Sequence, residues 1–393
     1  AQVAQDNWQS VFSPMNDGGD RYCAVCHRGL RAGETAVARD DDEFCHLCAS
    51  FSELANEIRH DELWLVLKRE TAVPSQEWAR LLYQIGGYAY RFTDKPTSTA
   101  GKLYRLNNTD FLSGQAHGFR LLANVTPTMT QKDIAYANNN DIHYEHPPKA
   151  GDIRDFDVLA RDGEGEDWLG VLRMDGDNLG KLFSQWLPAR NMLTTSALSS
   201  SLEQFFSGHL NRIVRDVAIL DKGDVDERLA AYIIYAGGDD LFVVGAWHLL
   251  PQLAQAIHEQ FRAYTNNDHL TISAGIGLMP RSKYPLYLAA KDADKALNDQ
   301  AKGERWELFI PDKQSQVIRT TTVKNAVSFL GTAVGWQTWP QVVELQTKLV
   351  ALQKNKQAAR SLIQLLQNVH ALFDDGRKQY EEDHPDAIDG KQK

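Results

Sequence analysis

Apolar positions are most regular between Trp168 and Ile310. Trp168–Met174 is an apolar run of strand character ending in Asp175-Gly176-Asp177-Asn178. A helical pattern follows, then a Thr/Ser-rich break at Thr194–Ser201, then a second helix containing Phe205 and Phe206. Leu229–Ala236 and Leu241–Trp247 read as strands joined by the turn Gly237-Gly238-Asp239-Asp240. Leu250, Leu253, Ile257 and Phe261 give Leu249–Tyr264 helical spacing. Leu270–Met279 reads as a strand, Pro285–Lys302 as a helix and Trp306–Ile310 as a final strand. The order is βααββαβαβ. Without the extra helix and the last helix–strand pair it is βαββαβ, the ferredoxin-like unit of an α+β fold.

The flanks differ. Upstream, Leu63–Leu67 and Phe119–Val125 are strand-like, Trp78–Tyr90 is helical, and Asn138–Asp155 reads as a connector. After Pro311 the pattern turns helical, with Val342, Leu345, Leu349 and Leu352, then Leu362, Leu365 and Leu366. The expected organisation is an α/β linker domain over 1–150, with a cysteine-bearing module at about 20–60, the ferredoxin-like domain over 151–312 and a helical domain over 313–393.

Composition narrows the classes. The chain has 393 residues, 43% of them hydrophobic and 24% charged, which fits a folded globular protein. It lacks a starting Met, consistent with processing or with a piece of something longer. No apolar run is long enough for a membrane helix. The net charge of -10 gives no global basic field for nucleic acid. Lys313–Phe373 nevertheless holds seven Lys/Arg (Lys313, Arg319, Lys324, Lys348, Lys354, Lys356, Arg360) against Glu344, and is expected to dock onto a partner. Solvated helix faces are the plainer explanation.

Cys23-Ala24-Val25-Cys26 and Cys45-His46-Leu47-Cys48 hold all four cysteines, so a disulfide framework is excluded. Paired C-x-x-C motifs at this distance can close a tetrahedral zinc shell with bonds of about 2.3 Å. That implies a structural ion and a reducing, cytoplasmic setting. Four buried free thiols are the alternative. Phe51, Leu54 and Ile58 place the second pair at a helix N-terminus, where backbone N–H groups stabilise thiolate.

Asp175 and Asp177 end one strand, and Asp239 and Asp240 occupy a turn between two others. In a ferredoxin-like sheet these strands are neighbours. Converging carboxylates are costly unless a cation neutralises them. Mg²⁺ takes one or two carboxylates plus phosphate oxygens. Gly237 and Gly238 permit an unusual turn or close approach of a phosphate, and Gly180 opens a helix whose N–H groups suit one. A plain hairpin turn would use the same residues. Lys302 can reach a triphosphate across the site, or simply sit at a helix end where the dipole favours it.

Asp175–Gly180, Phe205-Phe206-Ser207, Tyr235–Phe242 with Gly245 and Trp247, Ser273-Ala274-Gly275-Ile276 and Ala301-Lys302, with the paired C-x-x-C motifs, resemble the large polymerase-like subunit of type III CRISPR effector complexes, Csm type. The resemblance covers about residues 20–312 and extends to the helical tail. It implies an enzyme making cyclic oligoadenylates from ATP when its complex binds target RNA, with other subunits and guide RNA as partners. It implies Mg²⁺ or Mn²⁺ on Asp175, Asp239 and the Gly176 carbonyl. Asp177 and Asp240 then support a second ion or orient the first. Gly176, Asn178, Leu179, Gly180, Gly237, Gly238, Ser273 and Lys302 fall in the nucleotide site. Ser199 and Ser207 lie where related cyclases read a base, although helix capping explains that Ser/Thr-rich stretch equally well. The family's N-terminal HD nuclease and first palm are not seen, so DNase activity is not expected, and that portion is separate or missing. A diguanylate-cyclase-like enzyme is disfavoured because Leu241, not Phe, follows the acidic pair. A catalytically silent scaffold is the alternative of another class.

Overall fold

The computed structural model describes residues 21–383 apart from 31–35, 40–41, 60–63, 70–72, 96–100, 111, 113–115, 141, 143, 145–146, 188–190, 224–226, 268, 281–283, 304–305, 312–316, 323, 358 and 360. One compact unit comprises residues up to Arg305 together with Val323–Ala333. A second comprises Trp306–Thr322 and Val334–Lys393.

In the first unit, the hairpin β1 (Val37–Arg39) and β2 (Asp42–Phe44) precedes α1 (His46–Ile58). Next come β3 (Trp64–Lys68), α2 (Glu77–Gly86), β4 (Ala89–Thr93), β5 (Lys102–Leu106) and β6 (Gly118–Arg120), which form a sheet of order β4-β3-β5-β6. Alternation puts Leu65, Tyr90, Phe92, Tyr104 and Leu106 in one apolar cluster. The expected strand Phe119–Val125 is short because pairing with β5 ends at Arg120. The expected connector over 138–155 contains the end of α3 (Gln131–Asn139) and leads into α4 (Phe156–Ala160).

The palm follows. Its elements are β7 (Leu169–Gly176), α5 (Leu179–Lys181) continued by a π-turn, α6 (Met192–Gln204), a second π-turn (Phe205–His209) and α7 (Leu210–Ala218). The small hairpin β8 (Ile219–Leu220) and β9 (Arg228–Leu229) leads to β10 (Ala231–Gly237) and β11 (Asp240–Ala246). Then come α8 (Leu250–Thr265), β12 (Ile272–Met279), α9 (Leu286–Lys295) and a third π-turn (Ala296–Ala301). The sheet begins β10-β11-β7-β12, antiparallel throughout, which is the ferredoxin-like order. β7 and β12 are central and read as nearly continuous apolar runs because both faces are covered. Phe205, Phe206 and Phe261 are fully buried beneath the helices, with Phe205 edge-on to both others.

Two expectations are corrected. The Thr/Ser-rich stretch 194–201 is helix interior, because Asn191 and Thr194 form a capping box that starts α6 at Met192. Trp306–Ile310 does not join the palm. It lies in β13 (Trp306–Pro311), paired with β14 (Val317–Thr322) in a hairpin of the second unit. The place beside β12 goes to β15 (Ala326–Phe329), in parallel register, with β16 (Thr332–Gly335) outermost. The helical character after Pro311 thus begins only at α10 (Trp339–Lys354), followed by α11 (Ser361–Asp383). Among the described residues no helix is long and apolar enough to cross a membrane.

Candidate functional site

Pairing of β11 with β7 sets Asp240 opposite Asp175, and pairing of β12 with β7 sets Ser273 opposite Asp175 on the other side. Gly237 pairs with Asp240, leaving Gly238-Asp239 as a two-residue turn. Gly238 has φ 66°, the left-handed value that puts Gly first in such a hairpin turn. The Gly176 N–H donates to the Asp239 carbonyl at 2.9 Å, which ties the turn to the end of β7. Asp175, Asp239 and Asp240 therefore share one end of the sheet.

Asp177 is turned inward and fully buried. It accepts hydrogen bonds from the Thr271 hydroxyl (2.7 Å), the Ser273 hydroxyl (2.9 Å) and the Asn325 backbone N–H (3.0 Å). Burial raises its pKa against the pull of those donors. Ser273 is itself fully buried, so it braces Asp177 and is not open to a nucleotide. Leu179 is buried and Gly180 exposed. Gly180 lies one residue inside α5, behind the left-handed Asn178 that caps it.

Lys302 follows the third π-turn and donates from Nζ to Asp175 Oδ2, with Asp177 Oδ1 3.9 Å away. Burial and the neighbouring charge of Lys324 push its ammonium down to about 8. Arg173 binds Asp294 at 2.7 Å and stands 3.9 Å from Asp240. Burial raises the Asp240 carboxyl, Arg173 opposes the rise and Asp239 adds to it. Asp240 Oδ1 is buried and has no hydrogen-bond partner. An orphaned carboxylate oxygen beside two further carboxylates fits a divalent cation of the Mg²⁺ or Mn²⁺ kind.

Ser199 is exposed on α6 and Ser207 is half-buried in the second π-turn. Among the described residues neither hydrogen-bonds to the acidic cluster, and α6 is capped by Asn191 instead. Four contributors were not legible as site residues: Thr271, Arg173, Lys324 and Asn325. Each acts through long-range pairing, which local motifs do not record.

The four thiols converge, with every Sγ within 4.8 Å of the others. Cys26 and Cys45 are 3.9 Å apart, close to the edge of a tetrahedron built on bonds of about 2.3 Å. Cys45 caps α1 and accepts from the Cys48 N–H at 3.5 Å. Burial raises the Cys23 thiol, but N–H donors of Cys26, Cys45 and Val25 outweigh it and hold the group at about 6. Cys48 is driven up by burial and by the neighbouring sulfurs. Joint ionisation of all four needs a cation among them.

Residues 168–307 match the family model for the second palm domain of Cas10/Cmr2. Over about three quarters of its length the chain is similar to Cas10/Csm1 proteins, the Csm type of type III CRISPR systems. It is 38% identical over 317 residues to a single-strand-specific deoxyribonuclease Cas10/Csm1 (subtype III-A) of Enterococcus italicus, covering 76% of this chain and 37% of that protein. The Mycobacterium tuberculosis protein of the same description is 28% identical over 316 residues, covering 77% and 35%. A Csm1–Csm4 cassette solved in complex with cA3 aligns with 64% of this chain and 33% of its own, at 22% identity and a TM-score of 0.44. The chain thus spans about a third of the length of these two curated relatives.

Proposed function

We propose that this palm is part of a metal-dependent nucleotidyltransferase converting ATP to cyclic oligoadenylates within an RNA-guided type III CRISPR assembly, in response to target RNA. The observation that supports it most is the juxtaposition of Asp175, Asp239 and Asp240 at one sheet end, with an orphaned carboxylate oxygen and Lys302 alongside. Asp175, Asp239 and the Gly176 carbonyl would hold Mg²⁺ or Mn²⁺. Such an ion, when bound, neutralises phosphate charge and activates a 3′-hydroxyl. Asp240, restrained by Arg173, would support a second ion through its unpartnered Oδ1 or orient the first. Asp177 acts from below, fixing the strand ends through Thr271, Ser273 and Asn325. Asn178, Gly237 and Gly238 border the opening, and Lys302 would face the phosphates.

The four cysteines would hold a structural zinc ion, in a cytoplasmic setting that keeps thiols reduced. Other subunits, guide RNA, target RNA and a first-palm portion would complete the assembly. Leu345, Leu365, Val369 and Phe373 are 55–64% exposed on α10 and α11, which supports docking through the helical end. The proposal does not extend to the deoxyribonuclease activity in the relatives' names.

The test is mass spectrometry of products from ATP and from GTP, made by the assembled complex carrying Asp239→Asn with Asp240→Asn. Adenylate yield should fall on the order of 100-fold or more, the scale of losing a preorganised electrostatic element. Unchanged yield would refute the site. Guanylate products from the wild type would turn the reading to a diguanylate cyclase, and no products to a scaffold.

A further inference from the structure

The palm site contains a second lysine that comes from outside its motifs. Lys324 donates from Nζ to Asn178 Oδ1 at 3.0 Å. Asn178 is the residue that follows Asp177 and caps α5 in a left-handed conformation. Lys324 is presented by an unusual corner: it and Asn325 are both left-handed, with φ of 69° and 54°. A lysine rarely adopts that conformation, and surrounding contacts must hold it there. Here the contact is the Asn325 N–H on the buried Asp177 carboxylate at 3.0 Å. The carboxylate that braces the strand ends also fixes the corner carrying Lys324.

The charges make the placement informative. Lys302 bonds directly to Asp175, whereas Lys324 bonds to the neutral Asn178 amide and bears on the buried Asp177 carboxylate without a direct hydrogen bond to it. Both lysines reach the segment Asp175–Asn178, so their two ammonium groups stand at the same end of β7 and repel each other. Such a pair is stabilised when a polyanion lies across both. Lysine serves phosphate as a movable point charge, suited to a triphosphate of several conformations.

We propose that Lys324 is a second phosphate-binding residue of the palm, acting with Lys302 on the triphosphate of the bound nucleotide. This rests on the ATP reading above. A merely structural role, holding Asn178 in place, is the competing account, and the test separates the two.

Binding of ATP and of adenosine to the full chain would be measured by equilibrium dialysis in the presence of Mg²⁺. Lys324→Gln retains a donor for Asn178 and removes the charge. It should weaken ATP binding about tenfold and leave adenosine binding unchanged, within the range typical of losing a charge-assisted contact. Lys324→Arg should restore most of the ATP affinity. If Lys324→Gln binds ATP as well as the wild type, the proposal falls. Equal loss of ATP and adenosine in that variant would assign Lys324 to structure alone and also overturn it. Failure of the wild type to bind ATP at all is a different result, which removes the nucleotide reading and this proposal with it.

Discussion

His258 shows how a residue behind the site feels its environment. It lies on α8, 6% exposed, close to Asn325. Burial is the largest influence and pushes its pKa down to about 4; the Asn325 contact resists, and Arg262 adds to the fall. The folded state therefore stays neutral where the unfolded chain, titrating near 6.5, takes a proton. Stability is full above about pH 6.5 and is lost as pH falls towards 4, by about 2 kcal/mol at pH 5. Urea unfolding at pH 7 and pH 5 should show His258→Gln losing less between the two than wild type. Parallel losses would show that His258 takes up its proton as readily in the fold as in the unfolded chain. The same neighbourhood marks what local reading reaches. Asp175, Asp239 and Asp240 stand out because each lies in a short motif at a strand end. Asn325 contacts Asp177 from 148 residues away. Nothing in Lys324-Asn325 distinguishes it from an ordinary polar turn.

The elements were legible where their periodicity was strong. β7, β10, β11 and β12 emerge at nearly the expected places because each is an apolar run bounded by turn chemistry. β15 escaped because Ala326–Phe329 has four residues, too few for a period. The stronger apolar run at Trp306 reads as that strand instead, and only tertiary pairing decides between them. The Ser/Thr segment of α6 reads as a break because those residues favour caps and turns in isolation. How α9 meets β12 carries a prediction at this scale. A Cβ on Gly275 would lie 2.3 Å from the Leu297 nitrogen and 2.4 Å from the Ala293 carbonyl, both backbone atoms. Gly275→Ala must push the helix and its π-turn away from the sheet, at a cost of about 1–3 kcal/mol. Lys302 lies just past that π-turn, so its reach to Asp175 should suffer too. The urea midpoint should drop and ATP binding should weaken together; a variant with wild-type values of both would contradict this packing.

A buried ion network connects the segment before the palm with the palm's own strands. Arg154 and Asp133 have fully buried side chains, and Asp162 is 1% exposed. Asp133 accepts from Arg154 and Arg161 while completing the capping box of α3 with Thr130. Asp162 accepts from Arg154 and from Arg228 on β9. Arg154 also donates to the Leu229 carbonyl, and Tyr232 on β10 donates to the Arg154 carbonyl. Of these residues only Arg154 falls in Asn138–Asp155, the stretch that reads as a connector from its Asn run, prolines and glycine. In the fold the charged residues leave water, and each charge relies on the others. A network of this kind need not beat a well-packed apolar replacement, but removing one member leaves its partners buried and uncompensated. Asp133→Ala would leave Arg161 without that carboxylate and Arg154 with Asp162 alone, and would break the α3 cap. The expected cost is about 3–5 kcal/mol, the range found when a buried pair loses one partner. Asp133→Asn keeps an acceptor and should cost less. Because the network ties α3 and α4 to the palm strands, the urea midpoint of Asp133→Ala should fall well below that of wild type, with Asp133→Asn between them. A wild-type midpoint for Asp133→Ala would show that the palm stands without this network.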